Sequence, residues 1–291
     1  MTVEEALAGT GLPSSDAEIM LANCLNNDRA WIMAHGMHPL SAIEWKKFTA
    51  FAERRRRHEP VAYIIGKQEF YGREFAVDSR VLIPRPATEG VVRRTLQFLS
   101  YSEDALDEVD DGIIVTAKKL KVESGKWKVE SGKWKITTIV DVGTGSGCIA
   151  VTLALERTDM KIIATDVSSD ALEIARMNAE RHGVLDRITF KEGGGLDPVR
   201  DLAEPFLLVS NPPYIPDGRL LMADVREYEP HLALFGGPEG NEIAADFIRQ
   251  AESHPMCAGF VMELPRRTSQ VRMKTEGTMP KPERMLPCTH E

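Results

Sequence analysis

The chain has 291 residues, 43% hydrophobic and 27% charged, enough for one large core with a smaller satellite domain and too apolar for a disordered protein. With 36 basic against 44 acidic residues its net charge is −8, so a nucleic-acid partner would need a local basic patch to overcome repulsion from phosphate. No apolar run reaches the ~18–20 residues of a membrane span. The start carries Glu4 and Glu5 where a targeting peptide would be basic, and Cys24, Cys148, Cys257 and Cys288 form no CxxC pair, which leads us to expect a soluble, cytoplasmic protein without a zinc site or disulfide framework.

From Val3 to about His58 apolar residues recur at helical spacing: Ile19, Leu21 and Leu25, then Trp31 and Ile32, then Trp45, Phe48 and Phe51. Three or four short helices are predicted, forming a small bundle over residues 1–60. Breaks fall at Gly11 to Ser15, where Ser14 or Ser15 is placed to cap the next helix, and around Gly36 to Ser41. Residues 61–83 change character. Tyr63, Ile64, Ile65, Phe70, Tyr71, Phe75 and Val77 around two glycines read as a β-hairpin linking two domains.

A second domain is expected over residues 84–270. Pro84 and Pro86 in the segment IPRPATEG fix a loop ahead of a helix from about Thr88 to Leu99. Residues 101–135 are first acidic and then repeat KVESGKW at 121–127 and 128–134, which reads as an inserted β-hairpin turning at Ser-Gly rather than a duplicated binding loop. From Thr137 strands alternate with helices: TTIVDV, a helix from Cys148 to Glu156, KIIATD, a helix from Ser169 to His182, then RITFKE, FLLVS and GFVMEL. Parallel neighbours need long crossovers, so this order specifies an α/β fold with a doubly wound sheet covered on both faces. Beyond Leu264 the chain is rich in Pro, Met and charge, and residues 271–291 are expected to form a poorly ordered tail.

In IVDVGTGSGCIAV, Asp141, Gly143, Gly145 and Gly147 stand where the first strand of this series meets its helix. Ligands of open α/β sheets bind at that edge, and glycines let backbone N–H groups approach them closely. The spacing is GxGxG preceded by an acid, not the dinucleotide GxGxxG. It favours S-adenosylmethionine, with Asp141 facing the methionine ammonium directly or through water and Asp166, at the next strand end, accepting from the ribose hydroxyls.

The segment VSNPPYIP follows the FLLVS strand. An amide or exocyclic amino nitrogen is a poor nucleophile because its lone pair is delocalised. A loop that methylates it must therefore accept its hydrogens and aim that pair at the donor. The side-chain oxygen of Asn211 and the carbonyl of Pro212 can each take one N–H. Pro212 and Pro213 stiffen the loop and remove competing donors, and the Tyr214 ring can pack on a planar acceptor group. Because both loops would meet on one sheet edge, the pair points to a methyltransferase acting on an amino or amide nitrogen, with Asn211, Pro212 and Tyr214 as its catalytic residues.

With these residues in place, the chain resembles the release-factor glutamine methyltransferases, the HemK/PrmC family of class I S-adenosylmethionine-dependent enzymes, over roughly residues 15–264. The matching text is EPVAYIIGKQEFYGREFAVDSRVLIPRPATE, DVGTGSGCIAVTLA, SNPPYIP and REYEPHLALFGGPEG. The resemblance implies a Rossmann-like sheet and N5-methylation of the glutamine in the Gly-Gly-Gln loop of peptide-chain release factors, with the helical domain and hairpin helping to hold that partner. It carries cofactor roles to Gly143, Thr144, Gly145, Ser146, Gly147 and Asp166, and acceptor roles to Asn211, Pro212, Pro213 and Tyr214. The family has an acid where Ala87 stands and an Asp near the adenine where this chain has Gly194, which bears on cofactor affinity. The 101–135 insertion is not typical of it, nor is the stretch after Gln270.

Arg54 to Arg57 form a basic run that could meet an acidic partner or instead sit solvated at a helix end. No histidine has a ligand spacing such as HExxH, so no metal is expected. Two alternatives stay open: a nucleic-acid adenine or guanine amino methyltransferase, since NPPY suits a flipped base equally well, and a non-catalytic S-adenosylmethionine-binding protein. Net charge speaks against direct nucleic-acid binding.

Overall fold

The computed structural model describes residues 1–100, 112–117, 120–123, 126–129 and 136–264. The acidic stretch at 101–111, the expected turn at Ser124-Gly125, the second copy of the repeat from residue 130 and the expected poorly ordered tail lie outside the described residues.

Five helices open the chain: α1 (Val3–Ala8), α2 (Ser14–Leu25), α3 (Arg29–Ala34), α4 (Ala42–Arg56) and α5 (Val61–Ile65). Their shared core is Val3, Met20, Leu21, Ile32, Phe48 and Ile64, the inward faces of the predicted helical periods. Thr2 with Glu5 and Ser41 with Glu44 form reciprocal capping boxes, which satisfy N–H groups that a short helix otherwise leaves open. Neither Ser14 nor Ser15 caps α2. Both lie inside its first turn, the cap position is Pro13 with no side-chain bond, and the Pro13 carbonyl takes the N–H of Asp16 and Ala17 instead.

The expected hairpin over 61–83 is corrected at its start, because residues 61–65 are helical. Pro60 presets the entry and Gly66, at φ +74, supplies a left-handed exit. Arg54 of α4 donates to the carbonyls of Ile64 at 3.2 Å and Tyr63 at 3.4 Å, groups that so short a helix cannot satisfy itself. The hairpin proper is β1 (Lys67–Phe70) and β2 (Arg73–Ala76), closed at Tyr71 and Gly72 with φ of +54 and +70, the backbone of a two-residue hairpin turn. Phe70 and Phe75 are buried against the larger domain. Tyr63, Val77, Val81 and Ile83 pack with Ala171 and Ile174 in a separate cluster that joins the two halves of the chain.

A 3-10 turn at Pro86–Thr88 leads into α6 (Glu89–Ser100). Next come β3 (Ile113–Ala117) and the hairpin of β4 (Leu120–Glu123) with β5 (Lys126–Val129), in which Glu123 faces Lys126 across the expected turn. The series continues through β6 (Thr138–Val142), α7 (Cys148–Glu156), β7 (Lys161–Asp166), α8 (Ser169–Arg181), β8 (Ile188–Glu192), β9 (Phe206–Ser210), β10 (Ile215–Pro216), α9 (Ala223–Tyr228), β11 (Phe235–Gly237), α10 (Glu242–Ser253) and β12 (Cys257–Glu263). The main sheet has the order β3-β12-β9-β6-β7-β8. Five of its strands are parallel and β3 runs antiparallel at the edge, pairing Ile113 with Glu263.

Part of the 101–135 segment, β3, thus forms the edge of the main sheet. Gly90 of α6 makes room for it: a Cβ there would lie 2.3 Å from Ile113 Cδ1. Both faces are covered as expected. Ile139, Leu207 and Val209 pack with α6 and α7 residues, while Val140, Val142, Leu208 and Met262 face α10. Strands buried on both faces explain why FLLVS and TTIVDV read as continuous apolar runs.

Candidate active site

Chain order runs outward from β6 to β7 and β8, then returns to β9 and β12 on the other side. The sheet therefore reverses direction between β6 and β9, the point where open α/β sheets leave a crevice. Asp141 pairs with Val209 across these two strands, and the Ser210 hydroxyl donates to the Val142 carbonyl at 2.7 Å. The glycine loop and the NPPY loop thus leave adjacent strands at the same carboxyl edge. Asp166 ends β7 on one side and Glu263 ends β12 on the other.

The glycine loop divides its labour. Gly143 and Gly145 have φ of +72 and +55 and a Cβ on either would meet nothing within 4 Å, whereas a Cβ on Gly147 would lie 3.0 Å from that of Ala175. The first two line open space and the third lets α7 pack on α8. Gly143 and Thr144 N–H groups both donate to the Thr165 carbonyl at 2.9 Å. Thr144 and Ser146 are buried. Asn178 of α8 donates to the Ser146 carbonyl at 2.8 Å.

Asp141 lies fully buried under this loop. Its Oδ2 accepts from the Thr144 hydroxyl at 2.6 Å and the Ala150 N–H at 3.1 Å, and its Oδ1 is buried with no partner. Burial pushes the carboxyl up to about 7, with the nearby charge of Asp166 adding to the effect against the two hydrogen bonds. Asp166 accepts from the Gly145 N–H at 2.9 Å and the Ser168 N–H at 3.0 Å, which ties the second strand end to the loop. Burial raises its proton affinity against the backbone donors of Ser168, Gly145 and Val167. Beyond it, Gly194 leaves space in which a Cβ would touch only Val167 Cγ1, at 3.6 Å.

At the acceptor loop Pro212 is buried, while Asn211, Pro213 and Tyr214 are half-buried. Asn211 Nδ2 donates to the Thr88 hydroxyl at 2.8 Å, and Asn211 Oδ1 is buried without a partner. A buried amide oxygen without a donor is uncommon and marks a place where a ligand N–H fits. Tyr214 donates to Glu263 Oε1 at 3.4 Å, and burial, helped by the Glu263 charge, raises its phenol above the ordinary value. Two glycines back the loop closely: a Cβ on Gly236 would lie 2.5 Å from the Pro213 carbonyl oxygen, and one on Gly240 2.6 Å from that of Tyr214.

Several residues of the site carry no motif signal of their own. Arg85 and Glu229 form an ion pair in which the Glu229 side chain is 1% exposed, and Glu229 also accepts from the Ile83 N–H at 3.1 Å. This joins IPRP to REYEP, two segments quoted from the sequence without a role for either charge. Three of the four side chains in the Arg54 to Arg57 run are engaged internally. Arg54 pairs with Glu59 and Arg55 with Asp16, Arg56 donates to the Thr10 carbonyl at 2.9 Å, and the Arg57 carbonyl accepts from Tyr228 at 2.7 Å. Among the described residues no group of three or more metal-ligating side chains converges, and no helix is long and apolar enough to cross a membrane.

Residues 3–66 match the PrmC N-terminal domain and residues 101–225 the Methyltransferase small domain. The chain is 41% identical to a release factor glutamine methyltransferase of Chlorobaculum tepidum, over 79% of this chain and 70% of that protein. Proteins of the same name from Xylella fastidiosa and Koribacter versatilis are 36% and 35% identical, covering 85% and 88% of this chain and 78% and 81% of theirs. Among solved structures, the hMettl16 catalytic domain in complex with a MAT2A 3'UTR hairpin aligns over 78% of this chain and 69% of that one, at 14% identity and a TM-score of 0.47. So loose a likeness lends the RNA of that complex no weight here.

Proposed function

The chain belongs to the release factor glutamine methyltransferase family, and from that premise we propose that it methylates the N5 side-chain nitrogen of the glutamine in the Gly-Gly-Gln motif of peptide-chain release factors. S-adenosylmethionine is the methyl donor, and what it supplies when bound is a sulfonium methyl that a nucleophile can displace in line. The residues present fit it. Gly143 and Gly145 turn open backbone toward the crevice, Asp166 keeps acceptor capacity for a ribose, and the unpartnered Asp141 Oδ1 leaves a hydrogen-bond acceptor beneath the loop for the ammonium.

The observation that carries the reading is the buried, unpartnered Asn211 Oδ1, just past the end of the strand next to that cradle. An amide nitrogen presents two hydrogens. Asn211 Oδ1 accepts one and the Pro212 carbonyl the other, which turns the nitrogen's lone pair out of the amide π system and toward the donor. The Tyr214 ring packs on the amide plane, and Pro212 and Pro213 keep the loop rigid. One of the two hydrogens leaves as a proton once the methyl is in place. No covalent enzyme intermediate is needed, since positioning and hydrogen-bond acceptance supply the rate.

The helical unit at residues 1–60 and the hairpin that follows hold the release factor. A cytoplasmic location agrees with such a substrate. A base amino group would suit NPPY equally well, yet the net charge of −8 and the internal engagement of Arg54, Arg55 and Arg56 leave little to attract a phosphate backbone. The test is incubation with S-adenosylmethionine labelled in its methyl group and a release factor, its Gln→Ala variant, or DNA and RNA. Label confined to the unmodified glutamine is expected. Label on nucleic acid, or on neither, overturns the proposal.

A further inference from the structure

The acceptor loop by itself does not determine which end of the Asn211 amide faces the crevice. Oxygen and nitrogen ends of an amide have nearly the same shape, and only their hydrogen-bond partners tell them apart. Reversed, Asn211 would present an N–H to an incoming N–H, and the site would repel the group it must hold.

Two residues remote in sequence from the loop settle the question. The Thr88 hydroxyl lies 2.8 Å from Glu263 Oε2 and 2.8 Å from Asn211 Nδ2. A hydroxyl has one hydrogen to give, and a carboxylate can only accept. Thr88 therefore donates to Glu263 and offers its lone pair to the Asn211 amino group, which leaves Oδ1 as the free end. All three groups sit on firm supports. Thr88 is buried at the end of the 3-10 turn set by Pro86. Glu263 is buried at the end of β12, one residue past the Met262 to Ser210 pairing with β9. Among the described residues no cation pairs with Glu263, so its charge is held by hydroxyls, from Thr88 on one oxygen and Tyr214 on the other at 3.4 Å.

We propose that Thr88 and Glu263 are positioning residues of the methyl transfer: the buried carboxylate polarises the Thr88 hydroxyl, and that hydroxyl locks the Asn211 amide with its oxygen toward the acceptor nitrogen. This rests on the role given to Asn211 above. If the Glu263 acceptor is removed, Thr88 is free to turn and donate to Asn211 Oδ1, which consumes the lone pair the substrate requires. If the Thr88 hydroxyl is removed, the amide can flip at little cost.

The test compares Thr88→Val, Thr88→Ser, Glu263→Met, Glu263→Gln and the double variant T88V/E263M in the full chain. For T88V and E263M, kcat toward the release factor should fall on the order of tenfold to a hundredfold, the worth of one hydrogen bond to a charged group. T88S keeps the hydroxyl and should stay within about threefold of the parent, E263Q, which keeps an acceptor but loses the charge and can also donate, should fall between the parent and E263M, and S-adenosylmethionine affinity should stay within about threefold in all five variants by calorimetry. The double variant should be no slower than the slower single one, because both act through the same amide. The side-chain 15N–H signals of Asn211 should also move in T88V without any substrate present. Parental kcat in T88V, or matching losses of kcat and cofactor affinity in T88V and T88S alike, overturns the proposal. Should the parent leave release factors unlabelled, the functional reading fails, and the Asn211 signals still decide whether the hydrogen-bond chain exists.

Discussion

Asn178 of α8 holds the Ser146 carbonyl of the glycine loop at 2.8 Å, and with the same side chain it pairs both ways with Ala76 of the hairpin, donating to its carbonyl at 3.0 Å and accepting its N–H at 2.7 Å. One fully buried amide thus joins the cofactor loop to the β-hairpin that bridges the two halves of the molecule. Asn178→Ala leaves one N–H and two carbonyls without their partner, so a stability loss of about 2–4 kcal/mol is expected in chemical denaturation. Weaker cofactor binding should accompany it. A loss below about 0.5 kcal/mol, the range of ordinary surface changes, would mean the junction is held elsewhere.

The glycines of the loop should separate by phenotype. Gly143→Ala and Gly145→Ala place a methyl in open space at positive φ, costing about 1 kcal/mol of strain. They should also weaken S-adenosylmethionine binding at least about tenfold while the fold survives, because that space is where the ligand approaches the backbone. Gly147→Ala instead drives a Cβ to 3.0 and 3.1 Å from Ala175 atoms, so stability should fall by about 1–3 kcal/mol through overpacking. Calorimetry paired with thermal unfolding distinguishes the two patterns, and unchanged cofactor affinity in Gly145→Ala would contradict the cradle.

Asp141 gives a pH signature. Its carboxyl rises from 3.8 to about 7 on burial, so the folded state holds a proton that the unfolded chain releases. The sign follows from that: folding is favoured by this group below about pH 4, and its contribution is lost as pH rises from about 4 to 7, by on the order of 1–4 kcal/mol. Asparagine keeps one oxygen for Thr144 and Ala150 and cannot ionise. Stability of Asp141→Asn relative to the parent should therefore improve across that window and level off above it. A flat difference from pH 4 to 8 would mean that burial does not raise the Asp141 carboxyl in the folded state.

Asn211→Ala removes the proposed acceptor oxygen without touching the glycine loop. The barrier to methyl transfer should rise by about 2–4 kcal/mol, a rate loss on the order of 10²–10³, with cofactor affinity nearly unchanged. Single-turnover methylation alongside calorimetry checks both halves. Equal losses in the two would assign Asn211 to cofactor binding.

Much of this molecule was legible in order along the chain. Apolar runs bounded by glycine and proline located β6, β7, β9 and β12, because strands buried on both faces cannot disguise themselves as polar. The loops Asp141 to Gly147 and Asn211 to Tyr214 could be read for chemistry because each is contiguous and follows directly from a strand end. Their common edge came from the parallel order alone, and the Asp141 to Val209 pairing bears it out.

Where meaning depended on partners far away in sequence, the chain was silent or misleading. Tyr63, Ile64 and Ile65 look like strand residues by composition, yet they form a helix whose carbonyls Arg54 caps. Nothing in the 101–135 segment read alone announces that Ile113 pairs with Glu263 at the sheet edge. Thr88 and Glu263, separated from each other by 175 positions, show no pattern that links them to Asn211.

The sequence by itself determined which backbone stretches are strands, which loops stand at their ends and what those loops can bind, because side-chain periodicity and glycine content act on neighbours within a few residues. Only the tertiary structure decided which way the Asn211 amide points and that the Asp141 carboxyl is shut away from solvent. Both depend on burial and on hydrogen-bond partners brought together by strand register and packing, and these are properties no short stretch of chain possesses alone.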